Sequence, residues 1–199
     1  MLIKFQNHIQ QNFAQLKDKK LLLAVSGGID SMVLMHLFQQ LNYDIAIAHC
    51  NFQLRGKESD ADELFVKVKS KKLKVKSYFI QFDTENYSKE NKLSIQLAAR
   101  KLRYDWFQEI ISLGFDYVLT AHHLDDNVET FLINFIRGTG LEGLTGIPAQ
   151  NGNIIRPLLP FSREEIENYA QANQIQWRED SSNASDKYFR NKLRHDIVP

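Results

Sequence analysis

The chain has 199 residues, of which 43% are apolar and 25% charged, a balance that allows one globular domain with a sizeable core and excludes disordered and fibrous classes. Its single cysteine, Cys50, excludes an internal disulfide, a four-cysteine zinc site and a two-cysteine redox pair, and the expected location is a reducing cytoplasm. A formal net charge of +1 gives no overall basic excess, so any nucleic-acid role must rest on local clusters.

The opening run MLIKFQNHIQQNFAQL has helical periodicity through residues 2–17 but interrupts its apolar residues with Gln, Asn and His, unlike a signal peptide. Leu21 to Val25 reads as a strand that stops abruptly at Ser26-Gly27-Gly28. Residues 31–41 return to helical spacing, Asp44 to His49 is strand-like, and 58–73 is a charged amphipathic helix. Lys67, Lys69, Lys71, Lys72, Lys74 and Lys76 cluster at its end and read first as a solvated face.

Lys74 to Phe82 alternates as a strand, and Lys92 to Leu113 is a long amphipathic helix closed by Gly114. Asp116 to Thr120 is a further strand, followed by a helix from about Asp125 to Arg137. Residues 138–148 hold Gly138, Gly140, Gly143, Gly146 and Pro148, too many breakers for a helix, and read as a loop over the sheet edge. Ser162 and Glu165 have capping-box spacing for a helix reaching Asn173, and a last helical segment is expected near Ser185. The alternation predicts an α/β fold with a doubly wound, mainly parallel sheet and helices on both faces. The expected organisation is one catalytic domain over 1–199, with the Gly-rich loop 138–148 and a helical tail 160–199; the ending RNKLRHDIVP reads as a truncation.

Ligands of open α/β sheets bind beyond the carboxyl ends of the strands, and the first strand feeds directly into Ser26-Gly27-Gly28-Ile29-Asp30-Ser31. Two glycines let backbone amides approach phosphate oxygens, and the following helix adds its positive dipole end. Ser26 and Ser31 can donate hydroxyl hydrogen bonds, and Asp30 can hold a magnesium ion, which prefers oxygen ligands. The loop lacks the Lys-Ser/Thr ending of a Walker motif and the glycine spacing of a dinucleotide fingerprint. These residues allow a phosphate-bearing nucleotide with a magnesium ion.

Asp126 and Glu129 lie three residues apart on one helix face and can offer two carboxylates to a cationic substrate. The same acids, with Asp125, also suit the first turn of a helix on dipole grounds alone. Arg100 and Arg103 share a face of the long helix, where they can pair with a carboxylate or phosphate or serve as surface ion-pair partners. His49 and Arg55 follow the second strand, the place for adenine or substrate contacts, while His122 and His123 are second-rank candidates for phosphate or nucleotide.

The SGGIDS loop resembles that of the PP-loop superfamily of ATP pyrophosphatases. Further segments are similar to those of the tRNA(Ile)-lysidine synthetase family: HCNFQLRG at 49–56, ARKLRY at 99–104, TAHHLDDNVET at 120–130, RGTGLEGLTGI at 137–147, RPLL at 156–159, EDSSN at 179–183 and RNKLR at 190–194. The chain departs from the family at Phe52-Gln53, where a second histidine often stands, and the family's usual C-terminal tRNA-binding domains are expected to be missing from this sequence. The resemblance implies a PP-loop, Rossmann-like fold and an AMP-forming ligase that attaches L-lysine to the wobble cytidine of an isoleucine tRNA with a CAU anticodon, with ATP and Mg2+ as the cofactor pair. It implies catalytic or substrate roles for Asp30, Asp126, Glu129 and Arg103, with Asp126 and Glu129 on the lysine ammonium groups. Ser26, Gly27, Gly28, Ile29, Asp30, Ser31 and His49 would hold the nucleotide. Arg190 and Arg194 are expected to face tRNA phosphate. A homodimer is one option for assembly. Rival readings are a PP-loop tRNA thiolase, which the single cysteine disfavours, an amide-forming synthetase, and a non-catalytic ATP-binding module.

Overall fold

Leu21, Leu22 and Leu23 are all fully buried, so the strand that they form must be covered on both faces. That strand, β1 (Leu21–Ala24), lies inside a six-stranded sheet of the computed structural model, which describes residues 1–140 and 145–179. The other strands are β2 (Ile45–Asn51), β3 (Lys76–Gln81), β4 (Tyr117–Leu119), β5 (Gln150–Asn151) and β6 (Ile154–Ile155). Their order is β3-β2-β1-β4-β6-β5, and every pairing is parallel except that of β5 with β6.

Seven helices accompany the sheet among the described residues: α1 (Leu2–Asn12), α2 (Ile29–Gln40), α3 (Lys57–Lys72), α4 (Thr84–Glu90), α5 (Ile95–Ile111), α6 (Leu124–Ile136) and α7 (Arg163–Ala172). The alternation of side chains along β1 divides the core into two. Leu21, Leu23 and Val25 pack with Phe5 and Ile9 of α1, the apolar face of α2, Val66 of α3, and Ile166 and Ala170 of α7. Leu22, Ala46, Ala48 and Val118 pack with Trp106, Phe107 and Ile110 of α5. The fold is thus α/β and doubly wound, as the alternation of elements predicts. Among the described residues no helix is long and apolar enough to cross a membrane.

The chain winds outward from β1 through β2 to β3 and then returns to lay β4 against the other edge of β1. This reversal opens a crevice at the carboxyl ends of β1 and β4, where connections leave in opposite directions. The segments 26–28 and 120–123 meet there.

Local chemistry moves several boundaries. The first helix ends at Asn12 rather than residue 17, because the buried Phe13 turns out of helical geometry (φ −139°, ψ 39°) and a 3-10 turn, Ala14–Leu16, follows. The long helix begins at Ile95, where the Ser94 hydroxyl accepts from the Leu97 amide at 3.3 Å. Before it stands a helix that periodicity does not reveal, α4, capped by the Asp83 carboxylate on the Asn86 amide at 3.1 Å. The helix after the nucleotide loop starts at Ile29, not Ser31, which puts Asp30 in its first turn. The capping box of α7 forms as its spacing predicts, with the Glu165 amide donating to Ser162 Oγ at 3.2 Å and the Ser162 amide to Glu165 Oε2 at 3.1 Å. In the described part of the Gly-rich loop, the Ile147 amide donates to Asn127 Oδ1 of α6 at 2.6 Å. The expected segment near Ser185 lies outside the described residues.

Phe161, at the entry to α7, ties the N-terminal helix to this crevice. Its ring is fully buried, with centroids 5.8 Å from Phe5 and 5.9 Å from His8, and its carbonyl accepts the Leu124 amide that opens α6 at 2.9 Å. Phe161→Ala should leave a cavity that α1 cannot close and lower the unfolding free energy by about 3–5 kcal/mol. Urea unfolding midpoints of the two proteins measure the loss.

Candidate active site

Gly27 has φ +100°, a conformation that an L side chain adopts only under strain. A Cβ there would also approach Val66 Cγ2 to 3.4 Å. The turn brings the loop amides over the start of α2, whose N-cap position is Gly28 and which therefore has no side-chain cap. Two serines occupy the amides instead. The Gly27 amide donates to Ser31 Oγ at 3.2 Å and the Gly28 amide to Ser26 Oγ at 3.3 Å, with the two hydroxyls 3.3 Å apart. These are long hydrogen bonds, easily exchanged for bonds to a charged acceptor. The first amides of α2 have no carbonyl four residues back to bond, so the loop presents an N-terminal anion site.

Asp30 stands at the mouth of this loop. Nη1 of Arg163, at the first position of α7, donates to both of its carboxylate oxygens at 2.7 and 2.9 Å. The ring of His123, which is buried, lies 3.9 Å from Asp30 Oδ1 and 3.5 Å from Asp126 Oδ2. Burial pushes the Asp30 carboxyl above its ordinary range, while the charges of His123 and Arg163 pull it back. Asp125 accepts the Arg163 amide at 3.0 Å, and Asp126 accepts the His123 amide at 3.1 Å. Three helix N-termini, those of α2, α6 and α7, therefore converge on one cluster of carboxylates. Glu129, one turn along α6, is fully buried. His122 precedes His123 in sequence, with its Nδ1 2.9 Å from Thr120 Oγ1.

A second network lies beneath the loop, at the end of β2. His49 Nδ1 is 2.8 Å from the Val25 carbonyl, which can only accept, so this nitrogen carries the proton. Nε2 is then a lone pair, buried and without a hydrogen-bond partner among the described residues. Burial lowers the His49 pKa and keeps the ring neutral. Below it, Asn51 and Gln81 donate to Glu63 Oε2 at 2.9 and 2.8 Å, and Lys67 bonds the other oxygen. Burial alone would raise the Glu63 carboxyl, but these three donors outweigh it and bring the pKa down to about 2.

Arg55 donates to Asp62 at 2.7 Å, and Arg178 bonds the same carboxylate. The Arg178 amide donates to the Gly27 carbonyl at 3.0 Å, so the segment beyond α7 closes back onto the glycine loop.

The structure brings Ser26 to Ser31, Asp126 and His123 together at the crevice. Arg103 stands elsewhere, on α5, its guanidinium 5.1 Å from the centroid of Phe52, and Arg100 lies over Tyr104 at 4.7 Å. Phe52 in turn stacks on Phe82 with centroids 5.6 Å apart, so the residue that departs from the resemblance supplies the platform for Arg103. Sequence reasoning missed Arg163, Arg178, Asp62 and Glu63. Arg163 and Glu167 have i,i+4 spacing, a signal for a surface pair, and the pair does form at 2.6 Å, but nothing in the sequence joins either to Asp30. Arg190, Lys192 and Arg194 lie outside the described residues.

Residues 1–199 match the family profile of the PP-loop domain. The chain is similar to curated tRNA(Ile)-lysidine synthases. Identity is 44% to that of Porphyromonas gingivalis W83, over 100% of this chain and 45% of the relative. It is 45% to that of Bacteroides thetaiotaomicron, over 96% of this chain and 45% of the relative, and 43% to that of Chlorobaculum tepidum, over 98% and 61%. The chain thus spans about half the length of the curated relatives that it matches. Among solved structures it resembles the U34-tRNA thiolase NcsA of Methanococcus maripaludis, with TM-score 0.76, 18% identity, and 98% of this chain and 71% of that one covered. It also resembles the NH3-dependent NAD synthetase of Campylobacter jejuni, with TM-score 0.61, 16% identity, and 88% and 72% covered. At these identities the structural likeness is one of fold.

The depressed Glu63 pKa fixes an acid limb for stability. A carboxyl with a folded pKa of about 2, against an ordinary 4.5, contributes stability that is complete above the ordinary value and is lost as pH falls towards about 2. Glu63→Gln should therefore flatten the fall in unfolding midpoint over that window, compared with wild type. Parallel acid limbs in the two proteins would remove Glu63 as a source of it.

Proposed function

This chain belongs to the PP-loop domain family, which uses ATP, and on that footing we propose that it provides the catalytic domain of an enzyme that ligates lysine to the wobble cytidine of a CAU-anticodon isoleucine tRNA. The observation that carries the reading is the 44% identity to a tRNA(Ile)-lysidine synthase along 100% of this chain. The reaction proceeds in two displacements. The cytidine carbonyl oxygen attacks the α-phosphorus of ATP, the bond to the bridging oxygen breaks, and pyrophosphate leaves. The lysine ε-amine then attacks the ring carbon, the carbon–oxygen bond breaks, AMP departs with the oxygen, and the amine loses its proton.

The positions of these residues support the following parts. The amides of Gly27, Gly28 and Ile29 and the hydroxyls of Ser26 and Ser31 receive the phosphates, with the dipole of α2 favouring the charge that develops on pyrophosphate. His49 offers a fixed Nε2 acceptor below the loop, suited to an amino-group donor such as the adenine edge. Asp30 suits magnesium, an ion that usually takes one or two protein carboxylates beside substrate phosphates and water, once its carboxylate is released from the Arg163 guanidinium. Bound there, magnesium would stabilise the charge of the departing pyrophosphate. Asp126 and the buried Glu129 provide negative charge for the lysine amino groups, and Arg103 a planar cation for its carboxylate.

A thiolase reading, prompted by NcsA with its 4Fe-4S cluster, has little support from this chain. Its one thiol, Cys50, is pushed up to about 12 by burial, against the pull of Arg103, and such a thiol is neither a ready nucleophile nor a cluster ligand.

The test is nucleoside mass spectrometry after incubation of the chain with magnesium, ATP, lysine and the unmodified isoleucine tRNA, with a methionine tRNA as control. A cytidine heavier by one condensed lysine, in the isoleucine tRNA alone, is the expected product. Its absence from both this chain and a full-length relative carrying the same domain would end the lysidine reading. Asp30→Ala should abolish AMP release, whereas Glu129→Gln should raise the KM for lysine with a smaller effect on that for ATP. An unchanged lysine KM would take Glu129 out of the scheme.

A further inference from the structure

The Asp30–Arg163 pair is at odds with a metal role for Asp30, because both carboxylate oxygens already accept from the guanidinium at 2.7 and 2.9 Å. The pair is neither a surface accident nor a sealed core contact, with side-chain exposures of 27% for Asp30 and 34% for Arg163. It lies open to incoming solutes, yet dry enough for an unpaired carboxylate to be costly.

Arg163 is also mounted so that it can let go without being lost. Its amide is fixed by Asp125 at 3.0 Å and its Nε by Glu167 at 2.6 Å, while Nη1 alone holds Asp30. Among the described residues Nη2 makes no hydrogen bond. The guanidinium is planar and rigid, so rotation about the side-chain carbon bonds, at the expense of the Glu167 contact, could carry the Nη atoms off Asp30 while the backbone stays in place. The nearest alternative anion would be a triphosphate seated on the loop of which Asp30 is part, approached by the N-termini of α2 and α7 together.

Resting on the nucleotide site proposed above, we propose that Arg163 is a built-in stand-in cation: it neutralises Asp30 while the loop is empty, yields the carboxylate to the metal that enters with ATP, and transfers its guanidinium to the phosphates. No bond is made or broken covalently; one ion pair is exchanged for two. The exchange would link occupancy of the loop to the geometry of α6 and α7, because Asp125 holds the Arg163 amide and neighbours Asp126.

Manganese serves as the probe for the metal and α,β-methylene ATP as an uncleavable probe for the nucleotide. Free manganese is read by electron paramagnetic resonance, and nucleotide affinity by calorimetry, on wild type, Arg163→Ala and Arg163→Gln. Without nucleotide, the variants should bind manganese about tenfold more tightly than wild type, since no internal cation competes for Asp30. With manganese present, they should bind the ATP analogue about tenfold more weakly. A merely structural role would weaken both affinities together. Unchanged or weaker manganese binding in Arg163→Gln, or analogue binding equal to wild type, overturns the proposal. Failure of the wild-type chain to bind the analogue at all would instead overturn the nucleotide site on which it rests.

Discussion

A partly buried carboxylate needs a cation, and Asp30 sets the terms for the crevice around it. Left alone at the end of the sheet it would be driven towards protonation, as the upward direction of its pKa shows. The fold supplies positive potential from several sources at once: the guanidinium of Arg163, the ring of His123, and the N-terminus of the helix that carries Asp30 itself. These sources belong to α2, α6 and α7, which are far apart in sequence. The electrostatic demand of one side chain thus accompanies a specific docking of three helices, and the same convergence creates a site for anions.

The glycine loop is tuned in a complementary way. Its amides must be satisfied in the absence of ligand, or the loop would carry unpaired donors, yet they must be released cheaply when phosphate arrives. Ser26 and Ser31 meet both requirements with bonds of 3.2 to 3.3 Å, near the long end of the useful range. Beneath the loop the opposite strategy holds. Glu63 is saturated by Asn51, Gln81 and Lys67, and Asp62 by Arg55 and Arg178, which ties the end of β2, helix α3 and the segment after α7 to the Gly27 carbonyl. A rigid polar base under a loosely bonded loop is suited to phosphate exchange without movement of the sheet.

The parts that local periodicity governs were legible in the sequence. The strand of leucines, the glycine turn after it and the capping box of α7 depend on residues within a few positions of one another, and each forms where its pattern puts it. What was not legible depends on distant partners. Arg163 reads as one half of a helical i,i+4 pair, and it becomes part of the site only because α7 packs against α2, bringing together residues 133 positions apart. Asp62 and Glu63 look like the acidic side of an ordinary solvated helix, and only the return of Arg178 and the register of β2 with β3 make them buried acceptors. The hairpin of β5 and β6 escaped because two-residue strands carry no period.

The substitution at Phe52 shows how a local departure can be absorbed. An aromatic ring here cannot replace a histidine's hydrogen bonds, but it stacks on Phe82 and supports the Arg103 guanidinium at 5.1 Å. A cation over an aromatic face is attracted without being neutralised, whereas pairing with a carboxylate would cancel its charge for an incoming anion. Among the described residues no carboxylate pairs with Arg103, which is thereby held in orientation with its donors available. Two guanidinium groups thus stand in contrasting states, Arg163 in the crevice engaged by a carboxylate and Arg103 outside it resting on a ring. Arg103 can take an anion at small cost, whereas Arg163 becomes available only once something else satisfies Asp30.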